Sequence, residues 1–316
     1  MPRRRHLPQN HPPFDTLPVQ MITVDGAADR LAVHISGRLD TARMPLVCLP
    51  GYHRNMTDFA AMVGYIHRLV DHDWPVVLID LRGRGRSSDR RDASAYSSVQ
   101  EAHDVSVVAS ALAIEQAIFL GQGYGGQVIM SLAAERPMLN AGTVLIDAGP
   151  ISDPRGLVRL RNNLLDLDQP GGEAMLQRMS RQSLLVDYPG ATEPELDAMA
   201  LRTHYVGRGG RLRTLFDKRL IDLLAGFEHD DVLLAQWPLF NALGTAPLMM
   251  MRTQLTEQLR RETFEEMMHR RRDAQGYIIE GQGSPALLDN SDDVRPIAEF
   301  IRSVTRWRES FVSATA

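Results

Sequence analysis

The chain has 316 residues, 44% hydrophobic and 23% charged, the balance of a globular protein with a sizeable core. A net charge of −4 gives no bulk electrostatic case for nucleic acid or for an anionic membrane, and no run of about 18 apolar residues reads as a membrane span. The single cysteine, Cys48, excludes an internal disulfide and a cysteine-based metal site, and it suits a reducing, cytoplasmic location.

Residues 1–18 carry Arg3-Arg4-Arg5 and several prolines but no apolar stretch, so they read as a flexible leader rather than a secretory signal. Residues 19–24 and 31–36 read as strands joined through Gly26 in a hairpin. Residues 46–49 form a short apolar strand ending at Pro50-Gly51, and Cys48 within it reads as a small buried hydrophobe. Residues 57–70 have helical periodicity, with Met62, Ile66, Leu69 and Val70 on one side. A buried strand follows at 76–79, a helix at 99–112, a strand at 117–120, a helix at 124–135 stopped by Pro137, and a strand at 143–146. From 153 to 237 strand signal nearly vanishes, and helical stretches are broken by Pro170-Gly171-Gly172, Pro189-Gly190 and Gly207-Arg208-Gly209-Gly210. The earlier rhythm then resumes with a strand at 247–251 (Met249-Met250-Met251 buried within it), a helix near 262–272, a strand at 277–280 and a last helix from 294 to about 307. The cations of His269-Arg270-Arg271-Arg272 complement the end of the helix they close. Strands alternating with helices predict an α/β fold with a mostly parallel central sheet.

Three segments carry a more specific signal. They are Cys48-Leu49-Pro50-Gly51-Tyr52-His53-Arg54-Asn55, Asp80-Leu81-Arg82-Gly83-Arg84-Gly85-Arg86-Ser87, and the strand-to-helix turn Gly121-Gln122-Gly123-Tyr124-Gly125-Gly126. In this order and spacing they resemble the α/β-hydrolase fold superfamily over about residues 19–308, and within it esterase and C–C hydrolase-like members that carry a helical cap. The resemblance implies an α/β-hydrolase core from 19–152 and 238–316, a helical cap from 153–237, and a ligand-sized cleft between them. It also implies that Tyr52 and Tyr124 supply the two backbone N–H groups of an oxyanion hole.

Such enzymes carry nucleophile, acid and histidine in that chain order. Here the nucleophile position is Gly123, which has no side chain to attack a carbonyl. The acid position, R-G-x-x-S-D in relatives, reads Arg252-Thr253-Gln254-Leu255-Thr256-Glu257, leaving Glu257. The histidine position falls in Gly281-Gln282-Gly283-Ser284-Pro285 and is Ser284, which cannot shuttle a proton near neutral pH. The last histidine, His269, lies upstream of it. Glycine suits the strained backbone of such a turn.

The expectation is therefore a catalytically inactive member, a pseudoenzyme, that needs no metal or cofactor and binds a small apolar or acyl ligand, a protein partner or a second copy of itself. The alternative is a hydrolase, lyase or isomerase working by a non-triad mechanism through Tyr52, Tyr124 and relocated polar groups such as His53, Glu257 or Ser284. Apart from that role, His53 reads as a polar loop residue near the pocket mouth. Asp147 ends a strand at a level where some members place the triad acid, and otherwise reads as a turn or capping carboxylate before Gly149-Pro150.

Overall fold

The computed structural model describes residues 7–8, 10–26, 29–168 and 172–315, with side chains as far as Arg308. An eight-stranded sheet runs through the protein. Its strands in chain order are β1 (Gln20–Asp25), β2 (Asp29–Ser36), β3 (Leu46–Leu49), β4 (Val76–Ile79), β5 (Ala117–Gln122), β6 (Asn140–Ile146), β9 (Leu248–Thr253) and β10 (Gln275–Ile279). Across the sheet the order is β1-β2-β4-β3-β5-β6-β9-β10. β2 is antiparallel to both its neighbours, and every other pairing is parallel.

Successive side chains of a strand point to opposite faces, so a strand buried on both faces reads as a continuous apolar run. β3 shows this: Leu46 and Cys48 pack toward α1 (Ala60–Leu69) and α10 (Ser291–Thr315), in one layer with Ile66 and Phe300. Val47 and Leu49 pack on the other side toward α2 (Ser98–Ala111), α3 (Tyr124–Glu135), α8 (Trp237–Asn241) and α9 (Arg261–Arg270), with Val105, Ile129 and Phe240. The methionines of β9 divide in the same way, Met249 and Met251 to the first layer and Met250 to the second. Burial pushes the Cys48 thiol well above its ordinary pKa, as an inert core residue requires.

The Asp80–Ser87 motif is a brace between loops. The Asp80 carboxylate accepts the N–H of Met56 and of Arg86, each at 2.8 Å. Gly85, at φ +49°, turns the chain so tightly that any side chain there would collide with that carboxylate.

Between β6 and β9 lie α4 (Pro154–Leu167), α5 (Glu173–Asp187), α6 (Glu193–Leu201), α7 (Arg219–Asp222) and α8. Asp153 caps α4 by accepting the N–H of Arg155, and Thr192 with Glu195 forms a capping box on α6. This stretch, expected to be helical throughout, also holds an antiparallel hairpin of β7 (His204–Val206) and β8 (Leu212–Thr214). Three-residue strands around an Arg- and Gly-rich turn present too few apolar residues to register a period of two.

Residues 1–6 and 9 of the expected leader lie outside the described residues. From residue 10 onward the leader is packed rather than free: Phe14 and Leu17 are buried, and buried His11 reaches the C=O of Leu201 at 2.6 Å. No helix of the described residues is long and apolar enough to cross a membrane.

Candidate functional site

β5 delivers the chain into Gly123 at φ +50°, ψ −115°, and α3 begins at the next residue. The Gly123 N–H bonds to the C=O of Ile146 at 2.8 Å. Gly125 is packed so closely that a Cβ there would overlap the C=O of Leu49, and at Gly121 a Cβ would lie 2.5 Å from the N–H nitrogen of Gly126. The turn thus keeps the close backbone approach of a nucleophile elbow. A Cβ built on Gly123 would lie 2.5 Å from Oε1 of Gln258, the tip of an exposed side chain.

Tyr52 and Tyr124 flank the turn with rings edge to face at 5.4 Å. The N–H of Tyr124 opens α3, where no intrahelical carbonyl exists to take it. Beneath them lies Arg84, fully buried and paired with fully buried Glu101. Its guanidinium sits 5.6 Å from the Tyr52 ring, 5.3 Å from Tyr96 and 5.4 Å from Tyr124. Its Nε donates to the C=O of Tyr52 at 2.6 Å, fixing that loop. The Tyr52 hydroxyl donates to the C=O of Leu220 at 3.0 Å, and burial raises its pKa to about 12. The Tyr124 hydroxyl is buried beside Glu101, and burial pushes its pKa well above the ordinary value.

His53 lies in the turn after β3, half-buried, with its ring edge-on to Phe216 at 5.4 Å. Desolvation, reinforced by Arg54, holds its pKa far below 6.5, so the imidazole is neutral. Its Nδ1 has no partner among the described residues.

The carboxylates change places relative to the expectation. Glu257 has a half-exposed side chain and pairs with Arg159 of α4 at 3.0 Å, away from the turn. Arg159 also holds Asp187 at 2.8 Å, and α4 presses on the 257–258 backbone through Gly156. These contacts draw Glu257 outward and leave Gln258 facing Gly123. The carboxylate at the site is Asp147, buried at the end of β6, whose oxygens accept the N–H of Thr253 at 2.8 Å and its hydroxyl at 2.7 Å. Burial raises Asp147 to about 6, against those hydrogen bonds and the hydroxyl of Ser284. Ser284 therefore stands next to the acid, where a triad would place its histidine.

A cavity of about 450 Å³ opens over this floor. Tyr52, His53, Gly123, Tyr124, Asp147, Gln258 and Ser284 line it from the core, and Leu157, Leu160, Leu164, Leu224 and Phe227 line it from the segment between β6 and β9. Gln258 had no sequence signature, because an amide one residue beyond a carboxylate matches no spacing rule. Among the described residues no group of three or more His, Cys, Asp or Glu side chains could hold a metal ion.

The comparisons agree with this architecture. A model of the alpha/beta hydrolase family matches residues 46–299. An alpha/beta hydrolase from Novosphingobium aromaticivorans superposes with a TM-score of 0.78 at 27% identity, over 91% of this chain and 98% of that one. E-2-(acetamidomethylene)succinate hydrolase superposes at 0.73 with 18% identity, over 90% and 99%. Among curated proteins, a serine hydrolase-like protein of Danio rerio is 33% identical over 103 residues, 33% of this chain and 30% of that protein. The 3-hydroxybutyrate-oligomer hydrolase of Cupriavidus necator is 31% identical over 142 residues, 45% of this chain and 46% of that protein. The chain thus spans less than half the length of either curated relative. With the elbow, the brace motif, the strand order and the family match in agreement, the chain belongs to the alpha/beta hydrolase family.

Proposed function

We propose that this chain is a non-catalytic member of its family that binds a small, largely apolar or acyl-type ligand in the 450 Å³ cavity, under a cap formed by residues 153–237. One observation carries the reading: the elbow position is Gly123, with no side chain where a nucleophile would stand and only the tip of the Gln258 side chain beside it. A lost nucleophile alone could be a point defect. Here the base position is also a serine, Ser284. What remains is the apparatus of binding: backbone N–H groups for an oxygen, and a leucine-rich wall for a hydrocarbon chain.

The test uses the purified full chain with p-nitrophenyl butyrate and a fluorophosphonate probe. Ester cleavage stays at the buffer rate and no covalent label forms, while short acyl compounds raise the melting temperature. Saturable ester turnover or labelling overturns the reading. Silence toward every small molecule, together with a stable protein partner or self-association, replaces it with a scaffold role.

A second reading, a non-triad enzyme, draws support from Asp147, a cavity-lining carboxyl with a pKa of about 6. It requires turnover that Asp147→Asn abolishes.

A further inference from the structure

The charged groups lining the cavity are not equivalent. Arg54 is held by Asp58, Asp187 by Arg159, and Asp153 by Arg155 and Arg260. Asp147 is held by neutral donors, the N–H and hydroxyl of Thr253. A carboxylate head group at this floor would meet a like charge that Arg252 nearby offsets only in part. A second observation concerns Gln122, on the residue before Gly123. Its Nε2 donates to the C=O of Ala286 at 3.2 Å, which fixes the amide's orientation and leaves Oε1 as the free end. That oxygen is buried without a hydrogen-bond partner among the described residues, a state that costs stability until a donor reaches it. Tyr52 and Tyr124 line the same floor as the acceptors Asp147 and Gln122.

Resting on the ligand-binding reading above, we propose that the pocket selects a neutral primary carboxamide with an apolar tail and rejects the matching carboxylate. The carbonyl oxygen of such a ligand accepts from the N–H groups of Tyr52 and Tyr124. Its NH₂ group donates to the acceptors at the floor. Its hydrocarbon chain lies along Leu157, Leu160 and Leu164 of α4.

The experiment is calorimetric titration of the full chain at pH 8 with octanamide, sodium octanoate and octylamine. Octanamide binds at least tenfold more tightly than octanoate or octylamine. In Asp147→Asn the octanoate penalty shrinks to less than threefold. In Gln122→Met octanamide weakens at least threefold and octanoate is unchanged, which provides a test if the first variant does not fold. Octanoate or octylamine binding as well as octanamide, or no octanamide binding, overturns the proposal. Neither result touches the non-catalytic reading, which fails separately if p-nitrophenyl butyrate is turned over.

Discussion

Asp147 is the residue whose environment has the largest consequence for pH. Its folded pKa of about 6 lies above the ordinary 3.8, because burial penalises the charged form. The folded state therefore holds this proton more firmly than the unfolded chain does. Stability from this group is complete below pH 3.8 and declines as pH rises through 6. Asp147→Asn carries no such charge, and its amide can still accept the Thr253 N–H. Its stability relative to the wild type should improve by about 2 kcal/mol between pH 4 and pH 7, most of the roughly 3 kcal/mol that the full shift represents at about 1.4 kcal/mol per pKa unit. Urea unfolding at the two pH values measures this, and a pH-independent difference would refute it. At this scale the sequence was informative where the family resemblance supplies a spacing, as at Gly123 and Ser284. It was uninformative where a contact decides, as with Gln258, or where a cation from a distant helix decides, as with Arg159 and Glu257.

The elbow is an element held by close backbone approach rather than by side chains. Gly125 of α3 rests on the C=O of Leu49 at the end of β3, which leaves no room for a methyl group. Gly125→Ala must part the helix from the sheet and should lose on the order of 3 kcal/mol or more, as overpacking of a core does. Gly190→Ala, where nothing lies within 4 Å, should change stability by less than about 0.5 kcal/mol. Chemical denaturation of the two variants side by side tests the contrast. The sheet strands and their helices were readable because buried apolar runs and 3.6-residue periodicity both come from a large, two-sided core. The β7–β8 hairpin and the packing of His11, Phe14 and Leu17 were not readable. Both depend on single contacts with distant residues, and the local sequence is polar or proline-rich.

For the whole molecule, the question is what holds the segment between β6 and β9 to the core. Asp217 just ahead of α7 is central: its N–H bonds to the C=O of Gly83 and its carboxylate accepts the Tyr96 hydroxyl, each at 2.7 Å. Next to these contacts is the Arg84–Glu101 pair, with both side chains fully buried. Removing one member strands the other charge in a low-dielectric interior. Arg84→Met should therefore cost about 3–5 kcal/mol, while Arg84→Met with Glu101→Leu should recover most of that loss. Equal losses in the single and double variants, measured by urea unfolding, would show that the pair's other hydrogen bonds dominate.

The amide beside Gly123 also bears on how this chain could change over generations. A serine at 123 would place a side-chain-bearing residue at φ +50° and would need the tip of Gln258 to move aside. A histidine at 284 would face Asp147 with nothing to activate. Serine at 123 and histidine at 284 each lack a partner when introduced alone, so the Gly123→Ser/Ser284→His pair is the smallest change that sets nucleophile and base together.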